Sequence, residues 1–356
     1  MPDVESPEHI TLAELQLATR NHGLPLEALR YLLTPVGLHY LLVHYDIPAV
    51  VADAWGLQVV GEVERPVSLS LAQLRELPAA EIVATMECAG NGRARLAPRP
   101  VSQPWLLEAV GTACWRGVPL RAVLDRVGLR EGAREVLFTG LDGGVEGGVE
   151  QRYQRALALE DALRDEVLLA YEMNGAPLPA QHGFPLRLVV PGWYGMTNVK
   201  WLSSVTVLDR PFGGYQHERA YRLRHDDDED GTPLTRTQPR ALMVPPGVPE
   251  FLSRERIVGS TPVQLEGRAW SGWGPIVSVE VSLDGGESWR AAELNEEVAS
   301  PWAWRRWTFE WSPQPGRYVL CCRATDAVGN GQPVDQAWNL GGYANNAVQR
   351  VPVSVL

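Results

Sequence analysis

Cysteine is scarce. The four residues Cys88, Cys114, Cys321 and Cys322 are spread over 356 positions, and none stands in a C-x-x-C pair. That excludes a disulfide scaffold and argues against a zinc ribbon, a thioredoxin-type dithiol or a c-type haem. Long apolar runs are also missing. The longest uncharged stretch of interest, 31–45, is broken by Pro35 and Gly37 and holds His39 and His44, so it is too short and too polar to cross a bilayer. Basic charge is not in excess, with 32 Lys plus Arg against 43 Asp plus Glu and a net charge of −11. Such a chain is a poor binder of phosphate backbones, and neither nucleic acid nor membrane is expected as a partner. The opening residues, MPDVESPEHI, carry no apolar leader. The expected compartment is cytoplasmic, or periplasmic if an export signal has been trimmed.

What is present is ordinary for a globular protein: 45% hydrophobic and 21% charged residues, with a length that suggests about two domains. Thr11 and Glu14 form a capping-box pattern for a helix that Gly23 and Pro25 would end. A second helical stretch is expected over 26–33. From 38 onward, β-like runs (LHYLLVHY, LQVVGEV, EIVATME, EVLFTGL) mix with helical ones (SLAQLREL, PLRAVLDRV), which predicts an α+β domain over 1–242. The acidic run 226–231 lacks the glutamate that would close a calcium loop, because Thr237 stands there, and it reads as a solvated loop. A Pro-rich segment ending at 243–250 reads as a linker. Beyond it, alternating strands with an Asp284-Gly285-Gly286 hairpin signal predict an immunoglobulin-like β-sandwich over 251–356.

The most informative segment is ATMECAGNGRAR (84–95). A strand-like run delivers Cys88 into a turn with two glycines, with Arg93 and Arg95 close by. Cations favour thiolate, the form that binds soft metals or attacks electrophiles. Taken alone, a single cysteine before a turn is more often a small buried hydrophobe.

The neighbouring motifs resemble the sulfite oxidase family of molybdenum cofactor enzymes. Cys88-Ala89-Gly90-Asn91 is similar to its C-A-G-N signature, whose cysteine ligates molybdenum. Gln103-Pro104-Trp105 opens WLLEAVGTACWRGVPL, similar to another family stretch, although Glu108 replaces a glycine. FTGLDG (138–143), the continuous segment 168–202, WSGWGPIVSVEVSLDGGESW and PWAWRRW follow in family order. The resemblance implies a molybdenum–molybdopterin cofactor held by His44, Cys88, Asp142, His182, Arg187 and Lys200. It also implies a substrate anion met by Arg93, Trp105 and Tyr221, a separate electron acceptor, and a homodimer joined through the C-terminal sandwich. Trp270, Trp289, Trp302, Trp304 and Trp307 are expected in the sandwich core or at an interface.

Two of the three substrate arginines that the family implies are not found. Leu42 stands at one position and Gly341, in Trp338-Asn339-Leu340-Gly341-Gly342, at the other. At roughly 1.5–3 kcal/mol per charged hydrogen bond, two losses weaken dianion binding by about 3–6 kcal/mol. Arg95, Arg116 and His39 are the candidate replacements. The expected function is molybdenum-dependent oxygen-atom transfer to or from a small oxyanion, with sulfite doubtful. The alternatives are an oxo-reductase on the same cofactor, or an inactive family member acting as a binding or scaffold protein.

Overall fold

The computed structural model describes residues 9–295 and 300–356. The first helix, Leu12–Arg20, opens with the Thr11–Glu14 capping box. It ends at Asn21, before the expected Gly23, because the Asn21 amide donates back to the Leu17 carbonyl and across to Gln103. The stretch expected as a second helix is a single 3₁₀ segment, Leu26–Arg30. Helices are few and short, and sheets dominate.

The N-terminal region packs a mixed sheet and an antiparallel one. One runs Val67–Ser70, Gly56–Gly61, Leu202–Leu208, Glu135–Glu146, Val149–Ala158, with Gly56–Gly61 parallel to Leu202–Leu208. The other runs Ala80–Glu87, Val110–Pro119, Leu168–Met173, with Arg187–Val189 also pairing Leu168–Met173. Helix Leu120–Val127 buries Leu120, Val123, Leu124 and Val127 on one face, the spacing that a 3.6-residue repeat requires. Between these elements, 38–45 was expected as a strand and is not one. Its backbone is used by side chains instead: Asn21 accepts from the Val43 N–H, and Lys200 donates to the Leu42 carbonyl.

The C-terminal region is a two-sheet β-sandwich. Its four-stranded sheet runs Arg240–Met243, Val263–Trp270, Arg305–Trp311, Glu293–Asn295, and its six-stranded sheet is centred on Gln349–Val355, Gly316–Asp326 and Ile276–Ser282. Leu265, Trp307 and Trp311 from one sheet and Val281, Leu320 and Val353 from the other share one core. The boundary expected at 242 falls inside a strand, since Arg240–Met243 pairs with Val263–Trp270. The expected linker 243–250 likewise contributes Val248–Pro249, paired with Arg256–Val258. Trp270 and Trp304 seal the sandwich onto Leu24, Leu29 and Leu107, whereas Trp302 packs beside the second N-terminal sheet.

The join between the two regions lies next to the cysteine turn. Glu87 and Arg240 form a fully buried ion pair at 2.9 Å. Glu87 also accepts from Asn91 (3.0 Å) and from the Trp270 indole (2.8 Å). The residue before Cys88 is therefore clamped from the sandwich side.

Candidate active site

Strand Ala80–Glu87 ends at Cys88, whose backbone N–H donates to the Ala109 carbonyl and whose own carbonyl accepts from Asn91. Asn91 fixes the turn by donating to Glu87 and the Leu107 carbonyl while accepting from the Ala109 N–H. Gly90 is needed for space, because a Cβ there would lie 2.7 Å from the Arg93 guanidinium.

Two adjoining cavities meet at this turn. The inner one is lined by His39, Asp142, His182, Arg187 and Lys200. The outer one is lined by Arg93, Trp105, Glu146 and Tyr343. Cys88, Leu42, His44 and Tyr221 line both. All nine residues expected in the site therefore surround one double cavity, with the sulfur at its waist. The candidate replacement cations do not join them on the outer side. Arg116 is on the surface with Glu81 and Glu172, Arg95 faces a separate cleft beside Asp335 and Arg350, and His39 lies on the inner wall.

Basic side chains outnumber acidic ones in the inner cavity. His39, His182, Arg187 and Lys200 face a single carboxylate, Asp142, and none of the four makes an ion pair among the described residues. Burial, assisted by neighbouring cations, pushes Lys200 down to about 7 and His182 to about 2, and holds His39 at about 4. Burial raises Asp142 to about 6 against the pull of Lys200. Arg187 is anchored by the carbonyls of His182 (3.0 Å) and Asn198 (3.2 Å) and stacks 4.8 Å from the Trp115 ring. Arg187 Nε, His39 Nε2 and Asp142 Oδ1 are buried without hydrogen-bond partners among the described residues. Gly140 makes room for Asp142, because a Cβ there would lie 2.3 Å from Oδ1.

At the waist, burial raises the Cys88 thiol, and Arg93, the Gly90 N–H and the Trp105 indole pull it back. His44 and Tyr221 share a 2.5 Å hydrogen bond between Nε2 and the phenol. Burial and Lys200 drop His44 to about 3, so its ring is neutral, while burial keeps the Tyr221 phenol protonated. On the outer side, Arg93 Nε donates to the Gly341 carbonyl (2.7 Å) and its guanidinium lies 4.9 Å over the Tyr343 ring. A side chain at 341 would collide with Tyr343.

Some participants gave no sequence signal of their own. Arg155 is fully buried, has no ion pair among the described residues, and lies 5.6 Å from the Tyr221 ring while donating to the Gln216 carbonyl. Its place in the alternation of Tyr153, Arg155 and Leu157 along one strand marks it as inward-facing. Lys200 is marked in the sequence as the chain's only lysine.

Residues 44–216 match the oxidoreductase molybdopterin binding domain, and residues 240–356 match the Mo-co oxidoreductase dimerisation domain. Sulfite oxidase of Gallus gallus is 38% identical over 337 residues, covering 89% of this chain and 72% of that protein. The chain belongs to the sulfite oxidase family. Other relatives include mitochondrial sulfite oxidase of Homo sapiens, 38% identical over 346 residues, and nitrate reductase [NADH] of Solanum lycopersicum, 33% identical over 351. Each match covers 91% of this chain, but the chain spans only 62% and 38% of those two proteins. Among solved structures, the sulfane dehydrogenase SoxCD of Paracoccus pantotrophus superposes with a TM-score of 0.80 at 25% identity, over 98% of this chain and 91% of that one. The protein is thus a sulfite oxidase-like molybdopterin oxidoreductase with a dimerisation domain.

The inner cavity fits that cofactor. An anionic, phosphate-bearing pterin needs cations and fixed donors. The cavity offers four basic groups with one carboxylate, and buried polar atoms still lacking partners. Each such atom costs roughly 1–3 kcal/mol until it is satisfied.

Proposed function

We propose that this family member moves an oxygen atom to or from a small oxyanion or related oxo-compound in the outer cavity, and that sulfite is a poor substrate. The observation that carries the reading is the position of Cys88 at the waist between an inner cavity lined by basic side chains and an outer cavity holding Arg93. When bound, the molybdenum centre supplies the two-electron exchange that accompanies oxygen-atom transfer. The Cys88 sulfur would be its protein ligand, giving up its proton on binding. His182, Arg187 and Lys200 would hold the anionic end of the pterin, and Asp142, His39 and His44 its polar edge.

In the outer cavity Arg93 neutralises and orients the substrate. Trp105 walls it, and Tyr221 Oη, hydrogen-bonded to His44 Nε2, faces the same cavity. Leu42 and the Tyr343 ring leave Arg93 the only arginine among the described lining residues, which favours a weaker anion or a neutral oxo-compound over a dianion. The C-terminal domain, read as immunoglobulin-like, would join two copies into a homodimer, with electrons passing to a separate acceptor.

The test is turnover of the molybdenum-loaded protein with artificial dyes in both directions, over sulfite and a panel of monoanionic and neutral oxo-compounds. Turnover of panel members above that of sulfite supports the reading. Stoichiometric molybdenum without turnover on any of them contradicts it and points to a binding protein.

A further inference from the structure

The outer cavity holds one charge of each sign. Arg93 lines it beside Cys88 and has no carboxylate partner among the described residues. Glu146 lines the same cavity from the end of strand Glu135–Glu146. Its Oε2 is held by two donors, Gln216 Nε2 at 2.6 Å and the Tyr45 hydroxyl at 3.1 Å. Gln216 is itself buried and donates to the Tyr45 oxygen as well, at 3.0 Å. The other carboxylate oxygen accepts no hydrogen bond among the described residues. Arg93 and Glu146 make no ion pair with each other, yet both act on Tyr343, Glu146 raising its phenol and Arg93 lowering it. Both charges are therefore presented to the same space.

A carboxylate held in place by two donors opposes any second negative charge on a ligand, and it rewards a positive or hydrogen-bond-donating group. We propose that the outer cavity is shaped for a bifunctional substrate: a small oxyanion or oxo-group that meets Arg93, joined by a short carbon chain to an ammonium or other donor that meets Glu146. This rests on the reading of the outer cavity as the substrate cavity. It supplies a second specificity contact where a dianion-binding site would carry further cations.

The test is calorimetric binding of two fully oxidised probes, 2-aminoethanesulfonate and ethanesulfonate, to the molybdenum-loaded protein at neutral pH. The ammonium-bearing probe is expected to bind about tenfold tighter or more, as one charged hydrogen bond implies. Glu146→Gln removes the preference and Glu146→Lys inverts it. Equal affinities in the wild type, no binding of either probe, or a preference unmoved in Glu146→Gln would each overturn the proposal; the wild-type comparison needs no variant. Molybdenum content and dye turnover on the same samples report on the underlying reading separately, so its failure is distinguishable from failure of the bifunctional preference.

Discussion

Lys200 is the group whose chemistry most directly reports the charge balance of the inner cavity. Held at about 7 by burial and by Arg187, it has released its proton in the cofactor-free fold at pH values where the unfolded chain still carries it, since an ordinary lysine titrates near about 10.4. The unfolded state then binds more protons, so Lys200 makes stability rise with pH from about 7 upward. Buried cysteines and tyrosines with raised values oppose this slope at the alkaline end. The contribution of Lys200 is therefore read as the difference between wild type and Lys200→Met in urea unfolding at about pH 7 and 9. The wild type is expected to gain more stability over that range, and loading with the anionic cofactor should flatten the difference; equal slopes in the cofactor-free proteins would refute it. Arg93 gives the second test at this scale. In the proposed function it meets the substrate, so Arg93→Gln should lower kcat/KM by roughly ten- to a hundredfold, the worth of one charged hydrogen bond, with molybdenum content unchanged. Unaltered kcat/KM would remove Arg93 from the substrate site.

At the scale of elements, the site is made where strands stop. Strand Ala80–Glu87 hands Cys88 to its turn, and the mid-strand irregularity between Thr139 and Gly143 turns Asp142 into the inner cavity. Gly140→Ala places a methyl against Asp142 Oδ1. The expected result is a lower molybdenum content per chain with an unchanged circular dichroism spectrum, and full retention would show that Asp142 has slack. Much of this level was legible in the sequence. The Thr11–Glu14 box, the strand before Cys88 and the Asp284-Gly285-Gly286 turn rest on local chemistry, and local chemistry is what residue patterns encode. The segment 38–45 misled for a physical reason: its β-branched and aromatic residues read as a strand, but Asn21 and Lys200, distant in sequence, occupy its backbone groups. Arg155 and Glu146 were silent for a similar reason. Their meaning comes from Tyr221, Gln216 and Tyr45, which the chain brings to them from elsewhere.

At the scale of the molecule, the cysteine turn is shared between the two regions. The Glu87–Arg240 pair ties the residue before Cys88 to the first strand of the sandwich. Removing one partner of a buried ion pair leaves the other uncompensated, at about 3–5 kcal/mol. Arg240→Met should therefore lower the unfolding free energy by about that amount in denaturant titration, and the double variant with Glu87→Gln should recover part of it. A loss under about 0.5 kcal/mol would place the pair in a wetter setting than the fold shows. The expected boundary at 242 lies within strand Arg240–Met243, and the proline-rich sequence between 243 and 250 also builds an edge strand, Val248–Pro249. The account as a whole turns on the metal's protein ligand. X-ray absorption at the molybdenum edge of the loaded wild type and of Cys88→Ser, with metal content measured on both, addresses it directly. The account predicts one sulfur neighbour fewer in the variant or loss of the metal, with the fold retained; an identical sulfur shell and full molybdenum in Cys88→Ser would contradict it.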